Sequence, residues 1–332
     1  MFRRLLAAAA AMLFVLAAAA APVAAQVGGN GTLKGRAYFD LAKGLSDANE
    51  DMLTFGFRRV YFTYDMTISE TVKGRFRTDM SQESDGKQRL YLKHAYADWS
   101  AGERVTLRAG VMGTIMFSEV EDVWAYRAVA KMMEDGFKVR SSADFGVMGK
   151  VKLNDMASVN VMMANGEGYD KADDGANRKA YEVQGLFMPI SGLTVSGYLG
   201  LRGFDADGDP ATTGDQEDAT TIDLAGGYAQ GPFAVGGSVA MVSNWNGTAD
   251  QKAQGISGWG RFTLPSAPLT LLAKFDRFDP DTDTDDDQTI YIVAGLDYAA
   301  GKGLSIVPNI QQYKVGNADA TTSFLLTFYW KW

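Results

Sequence analysis

The sequence predicts an all-β fold, a transmembrane antiparallel up-and-down β-barrel of about sixteen strands. Three observations support this prediction. An export signal precedes the rest of the chain, apolar and polar side chains alternate over segments of strand length, and short connections alternate with long acidic ones. After the signal, no run reaches the roughly 18 consecutive apolar residues of a transmembrane helix. We therefore expect the chain to cross a membrane with strands.

The first residues are typical of a secretory signal peptide. Arg3 and Arg4 precede an uncharged run of Ala, Leu and Val, and small residues follow that run up to Ala25. A basic start, an apolar middle and a small-residue end are the features that signal peptidase recognises. We expect cleavage after Ala25, which gives a signal peptide over 1–25 and a single barrel domain over 26–332.

Composition excludes several classes of function. The chain carries a formal net charge of −8, which leaves no general basic surface for phosphates and argues against a nucleic-acid partner. It has no cysteine, so a thiol nucleophile, a disulfide and a thiolate metal site are all excluded. The chain is therefore expected to be an exported protein whose fold needs no covalent cross-links. A closed ladder of backbone hydrogen bonds in lipid is such a fold.

The alternation of side chains is clearest near the C-terminus. In a strand, successive side chains point to opposite faces, so lipid outside and water inside impose a period of two. The same alternation recurs over 193–202 and 289–298. In the C-terminal segment, one face carries Phe324, Leu326, Phe328, Trp330 and Trp332, and the other carries Ser323, Leu325, Thr327, Tyr329 and Lys331.

The connections set the number of strands. Seven short turns and eight long loops make fifteen connections and hence sixteen strands, with both ends of the chain on the periplasmic side. The short turns fall near 68–70, 101–102, 154–155, 189–192, 230–232, 265–268 and 301–303. The long loops fall near 43–51, 81–87, 113–142, 166–177, 205–218, 245–253, 280–287 and 315–320.

The third long loop, 113–142, is the longest and has helical spacing. Val120, Val123 and Trp124 can share one helical face, and Gly136 is a plausible helix stop. A loop of this length with apolar residues of its own usually packs on another part of the molecule. Inside a barrel the available surface is the inner wall, so we expect a partly helical constriction loop folded into the lumen.

Cations alternate with apolar residues on the strands that flank this loop. Charges of this kind should face the lumen, because a Lys or Arg on the lipid face near the midplane costs about 2–4 kcal/mol. An acidic loop opposite a basic wall would set a field across the pore and select solutes by size and charge. The alternative is that these charges are solvated and have no selective role. The predicted basic wall comprises Lys73, Arg75, Arg77, Lys93, Arg104 and Arg108, and the predicted acidic loop residues are Glu119, Glu121 and Asp122.

One stretch carries a family resemblance. The segment YLKHAYADWSAGERVTLRAGVMGTIMF, followed by the long helical insertion, resembles the general bacterial outer-membrane porin family. The resemblance implies a homotrimer of sixteen-stranded barrels in the outer membrane of a Gram-negative bacterium, in contact with lipid and lipopolysaccharide. It also implies a water-filled channel for passive diffusion of ions and small hydrophilic solutes. Carried over by position, Lys73, Arg75, Arg77, Lys93 and Arg108 would form the basic side of the pore eyelet, and Glu119, Glu121 and Asp122 the acidic side.

The chain departs from the family pattern in two places. Trp332 stands where the family usually has Phe, which keeps an aromatic residue at that position. The loop lacks the usual Pro-Glu-Phe-Gly-like segment, and this leaves the geometry of the eyelet open. A basic pore wall favours anions, whereas acidic long loops at the pore entrance favour cations. The sequence therefore leaves open which ions the channel prefers.

Catalysis and metal binding are the remaining alternatives. His94 is the only histidine, and its place between Leu92 and Tyr96 predicts a position on the lipid face, away from any catalytic cleft. We therefore predict no enzyme. The runner-up function is a plugged barrel with a structural, adhesive or hydrolytic role. No cofactor is expected beyond loosely bound Ca²⁺, for which the alternating carboxylates Asp281, Asp283 and Asp285 are the candidates.

Overall fold

Sixteen antiparallel strands, β1 to β16 in chain order, close into one barrel. The structure is a computed structural model that describes residues 30–82, 86–169, 179–203 and 217–332. Each strand pairs with its neighbours in the chain, and β1 pairs with β16 to complete the ring. The predicted fold class and strand number are confirmed. The predicted signal peptide, 1–25, lies outside the described residues and stays a prediction.

The bounds of the elements follow the predicted rhythm of short turns and long loops. Within the described ranges no helix is long and apolar enough to cross a membrane. The helices are α1 Ser118–Trp124 and α2 Met133–Gly136, with short 3₁₀ helices at Asp47–Asn49 and Trp245–Gly247. The strands are β1 Gly31–Gly44, β2 Leu53–Thr67, β3 Val72–Gln82, β4 Gln88–Ser100, β5 Val105–Gly113, β6 Ala143–Lys152, β7 Ala157–Ala164, β8 Ala180–Phe187, β9 Leu193–Arg202, β10 Ala219–Gln230, β11 Phe233–Ser243, β12 Lys252–Thr263, β13 Leu269–Asp279, β14 Thr289–Gly301, β15 Leu304–Val315 and β16 Thr321–Lys331.

Side chains on each strand divide between an apolar outside and a polar inside. In β8, Tyr181 and Val183 are exposed on the outer face, whereas Glu182 and Gln184 between them are buried in the interior. The outer face of other strands likewise exposes large apolar side chains, such as Leu224 of β10. Hydrocarbon outside and polar groups inside produce this arrangement, because each strand presents alternate residues to the two environments.

The seam between β1 and β16 closes the ring. Their register pairs Arg36 with Lys331 and continues regularly to Gly44 and Ser323. Beyond the ladder, the backbone N–H of Gly35 donates to the carbonyl of Trp332 at 3.0 Å, and the N–H of Trp332 donates back at 3.1 Å. A Cβ on Gly35 would lie 1.9 Å from the Trp332 ring, so only glycine allows the indole to lie across the strand there.

A β-bulge in β4 reverses the side-chain directions that alternation alone predicts. The register against β3 pairs His94 with Arg77 but Leu92 with Thr78, which leaves Lys93 as an extra residue. One inserted residue moves every later side chain to the other face. The predicted lipid-facing positions of His94 and Tyr96 are therefore wrong. Both line the interior, and the His94 side chain is only 7% exposed.

Candidate pore constriction

The long loop between β5 and β6 packs one face against the inner surface of β9 to β12. Val120 and Trp124 of α1 are fully buried. The Trp124 ring lies 5.5 Å from the Trp259 ring of β12, and its Nε1 donates to the carbonyl of Ala130 at 3.0 Å. Gly227 of β10 leaves the space that α1 occupies, because a Cβ there would lie 3.0 Å from the side chain of Val123. The apolar residues that predicted the helix are those that attach it to the barrel.

Other residues of the loop reach strands elsewhere in the ring. The Tyr126 hydroxyl donates to Asp297 of β14 at 2.8 Å. The Val129 carbonyl accepts from Arg58 of β2 at 3.1 Å and from Gln311 of β15 at 3.2 Å. The loop thus contacts inward-facing side chains on β2, β14 and β15 as well as on β9 to β12. Its position is fixed from several directions.

A buried arginine anchors the end of the loop. Arg140, 3% exposed, donates from Nε to Glu182 of β8 at 2.8 Å and from Nη1 to Asp144 of β6 at 2.9 Å. Burial alone would lower the pKa of Arg140, but the two carboxylates outweigh it and hold the pKa above its ordinary value. The guanidinium therefore stays charged, and both buried carboxylates have a counter-ion.

Two of the predicted basic residues are fully engaged by carboxylates. Arg75 of β3 donates to both oxygens of Asp65, at 2.6 and 3.2 Å. Arg108 of β5 donates to both oxygens of Asp98, at 2.6 and 2.8 Å, and lies 4.0 Å from the centre of the Tyr96 ring. Each pair joins neighbouring strands, so the charges of these two cations are locally compensated.

Arg77 and Lys93 differ in what they bind. The Arg77 guanidinium donates from Nε to Thr63 at 2.8 Å and lies 5.5 Å from the Tyr61 ring. Lys93 is buried, lies 3.5 Å from Asp79, and donates to the Tyr169 hydroxyl at 3.1 Å. Unlike Arg75, Arg108 and Lys93, Arg77 has no carboxylate within ion-pair distance in the described part of the chain.

The last two predicted cations do not line the cavity that contains Arg77. Lys73 is exposed and lines a neighbouring cavity together with Arg75 and Asp98. Arg104 is exposed in the turn that precedes β5, so the strand position predicted for it is wrong. The sequence gives no sharp signal for where a strand begins, and this one starts at Val105.

The three predicted acidic residues of the loop differ in whether a cation neutralises them. Glu121 accepts from Arg127 at 2.5 Å, and the same guanidinium donates to Asp135 at 2.7 Å. Glu119 is reached by the Gln184 amide at 3.5 Å, and Asp122 is exposed. Glu121 is therefore neutralised inside the loop, whereas Glu119 and Asp122 keep an uncompensated negative charge.

Opposite these two acids lie two cations that the sequence prediction missed. Although the residue is exposed overall, partial desolvation of its carboxylate raises the pKa of Asp122, and Arg36 of β1 acts in the other direction. Burial likewise raises the pKa of Glu119, and Lys150 of β6 is among the groups that oppose the shift. The parity rule applied to β1 and β6 would have found both cations, since Arg36 alternates with Gly35 and Ala37.

A cavity of about 460 Å³ separates the two sides. Arg36, Arg77 and Lys150 line it from the strands, and Glu119 and Asp122 line it from α1. We call the three strand residues the lumen cations. Cations of β1, β3 and β6 and acids of α1 thus line the same cavity. The selective constriction stays a prediction.

The predicted calcium ligands lie in the loop between β13 and β14. The Asp281 carboxylate accepts from the backbone N–H of Asp283 at 3.2 Å and from the Thr284 hydroxyl at 3.0 Å. Over the described ranges, no three acidic or histidine side chains are grouped so as to hold a metal ion. Calcium binding stays a prediction.

Known porins share this architecture. The anion-selective porin from Comamonas acidovorans is 12% identical, with a TM-score of 0.69 over 91% of this chain and 99% of that one. OmpF of Salmonella typhi, solved with daunomycin, is 11% identical, with a TM-score of 0.70 over 92% and 98%. A trimer form of OmpT from Vibrio cholerae is 14% identical, with a TM-score of 0.63 over 91% and 100%. No curated protein sequence matches the chain.

At such identities the structural likeness establishes the fold, and the sequence itself establishes the family. The Gram-negative porin family model matches residues 7–318, nearly the whole chain. That match agrees with the closed sixteen-stranded barrel and with its apolar outer face. Family and fold together point to a channel rather than an enzyme. The chain is a member of the Gram-negative porin family, an integral protein of the outer membrane that forms a porin channel.

Proposed function

We propose that the loop between β5 and β6 narrows this channel and makes it selective for ions and small polar solutes by size and charge. One observation carries the proposal: Glu119 and Asp122 of α1 face the lumen cations across a cavity of about 460 Å³. A charged constriction of this kind excludes large solutes sterically and ranks small ones electrostatically.

The separation of the opposed charges supports a transverse field. Within the described residues no ion pair joins Asp122 to Arg36 or Glu119 to Lys150, although each pair interacts electrostatically. Uncompensated charges of opposite sign on two sides of a low-dielectric opening produce a field between them. A dipolar solute that enters the gap would be oriented before it passes.

The family resemblance supports a trimeric assembly in contact with lipopolysaccharide. Among the structurally similar proteins, OmpT of Vibrio cholerae is described in a trimer form. The acidic long loops, such as 280–287, supply carboxylates that divalent ions would bridge to anionic lipid headgroups. Chemical cross-linking of the protein in native outer membranes would test the assembly directly.

The size-selective part of the proposal is tested by diffusion into liposomes. Purified protein is reconstituted, and swelling rates are measured for neutral sugars of increasing size. Trp124→Ala removes the buried ring that holds α1 on β12, and we expect the size limit to rise. Trp99→Ala is the matched control, because Trp99 is 52% exposed on the outer face of β4.

Two results would contradict the proposal. Liposomes and planar bilayers that stay impermeable with a correctly folded protein would favour the plugged barrel over an open channel. An unchanged size limit in Trp124→Ala, with α1 shown to be displaced by increased protease sensitivity, would remove the loop from the selective step.

A further inference from the structure

We infer that the constriction prefers anions, and that Arg36, Arg77 and Lys150 set this preference although the whole chain carries a net charge of −8. The inference rests on the proposed function of the constriction. It concerns the class of solute, namely chloride and small carboxylate or phosphate ions. It depends on which charges in the barrel already have a partner.

Most acidic side chains inside this part of the barrel are compensated. Asp65 and Asp98 bind the guanidinium groups of Arg75 and Arg108. Asp79 is fully buried and accepts from Arg59 at 2.6 Å. A cation in contact with each carboxylate cancels most of its field at a distance, so these pairs contribute little to the potential in the cavity.

The loop compensates its own acids as well. Arg127 lies between Glu121 and Asp135 and donates to both. The pKa of Arg127 stays far above its ordinary value because these carboxylates outweigh the burial that would lower it. Of the three acidic loop residues that the sequence placed in the constriction, Glu119 and Asp122 therefore remain as uncompensated negative charges.

The lumen cations, in contrast, have no carboxylate in contact. In the described part of the chain no Asp or Glu oxygen lies within 4.0 Å of the charged nitrogens of Arg36, Arg77 or Lys150. Arg77 lines the cavity, donates from Nε to Thr63 and lies near the Tyr61 ring, and no contact to a carboxylate in the described part of the chain occupies its Nη groups. A free pair of guanidinium N–H donors matches the oxygens of carboxylate and phosphate.

Among the described residues that line this cavity, three uncompensated cations face two uncompensated acids. Burial shifts this balance further, because it raises the pKa of Glu119 and Asp122 and so reduces their charge on mild acidification. The excess acid of the chain lies elsewhere, for example at Asp281 and Asp283 in an outer loop. Charges beyond about 10 Å are largely screened at 0.1 M salt, so they do not set the potential at the narrow point.

The experiment is a reversal-potential measurement in planar bilayers under a KCl gradient at about 0.1 M, where the Debye length of about 10 Å lets charges at the constriction act on a passing ion while more distant charges are largely screened. KCl is suitable because its two ions have nearly equal mobility in water. We expect chloride to be preferred over potassium. A unit charge about 8 Å from the ion path changes the chloride-to-potassium ratio by about twofold at this salt concentration. Arg77→Gln and Lys150→Gln should each lower the ratio by that factor, and Asp122→Asn should raise it.

Arg104→Gln is the matched control, because it removes the same charge from an exposed turn outside the cavity. Each variant is accepted only if it gives discrete conductance steps, which separates selectivity from folding. A wild-type channel that prefers potassium would overturn the inference while leaving the channel function intact. So would an Arg104→Gln shift as large as that of Arg77→Gln. A folded wild-type protein without conductance would overturn the channel function and the inference together.

Discussion

Replacing Arg140 with methionine should destabilise the barrel strongly, since its guanidinium is the counter-ion of two buried carboxylates. Glu182 is 2% exposed and Asp144 is fully buried. Arg140→Met keeps a long flexible side chain in the same space but removes the bonds of 2.8 and 2.9 Å to these acids. Both carboxylates would then be buried without a cation, and such uncompensated buried charge is the reason that breaking a buried ion pair is strongly destabilising.

The size of the effect follows from the geometry. Removing one partner of a buried ion pair costs about 3–5 kcal/mol. The entropy of unfolding is about 2.1 cal/mol/K per residue, so a barrel of roughly 300 residues loses about 1.6 °C of melting temperature per kcal/mol. Arg140→Met should therefore melt about 5–8 °C below the wild type. Lys152→Met is the matched control, because Lys152 pairs with the exposed Asp155 in a turn and should shift the melt by less than about 1 °C.

The assay is thermal unfolding in detergent, followed by the loss of β-sheet circular dichroism and of the compact band on gels run without heating. Adding Glu182→Gln and Asp144→Asn to Arg140→Met removes the orphaned charges and should restore most of the loss. An Arg140→Met protein that melts within about 1 °C of the wild type would refute this account of the anchor. A triple variant less stable than the single one would do the same.

Three further perturbations follow from other parts of the interior. Asp223→Asn should stabilise the barrel by about 1–3 kcal/mol in the same melt, because both buried carboxylate oxygens of Asp223 lack a hydrogen-bond partner among the described residues. A lower melting temperature would contradict this. Gly227→Val should push α1 away from the barrel wall and reduce single-channel conductance. Gly197→Val should leave the conductance unchanged, because a Cβ at Gly197 has no described atom within 4 Å, and equal conductances of the two variants would refute the packing argument. Lowering the pH from about 7 to about 4 should increase chloride preference, because Glu119 and Asp122 have raised pKa values and lose their negative charge at a higher pH than ordinary carboxyl groups. A reversal potential that does not change with pH would count against it.

The barrel itself could be predicted from sequence because lipid and water impose a period of two on every strand. β8 shows that period without exception, and the alternation of turn lengths fixed the number of strands. The direction of a side chain was predictable wherever the strand is regular. It was not predictable after Lys93 in β4, because neither glycine nor proline marks the bulge there.

The compensation of charges could not be predicted, because it depends on the register between strands. Arg75 and Arg108 lie opposite their carboxylates only once β2 to β5 are aligned. Arg127 lies on the loop, so a search for a basic wall on the strands passed over it. The sequence thus predicted a charged constriction, and the structure shows which of the charges that line the cavity have a counter-ion.

The seam between β1 and β16 has a consequence for assembly. It joins residues about 290 apart in the chain, the most distant contact that the ring contains, and contacts of that range form slowly. Until it forms, two strand edges expose unpaired N–H and C=O groups that can pair with any neighbouring chain. During biogenesis these edges are therefore the most aggregation-prone part of the sheet, and a chaperone or an insertion machine that covers them would protect the barrel most effectively.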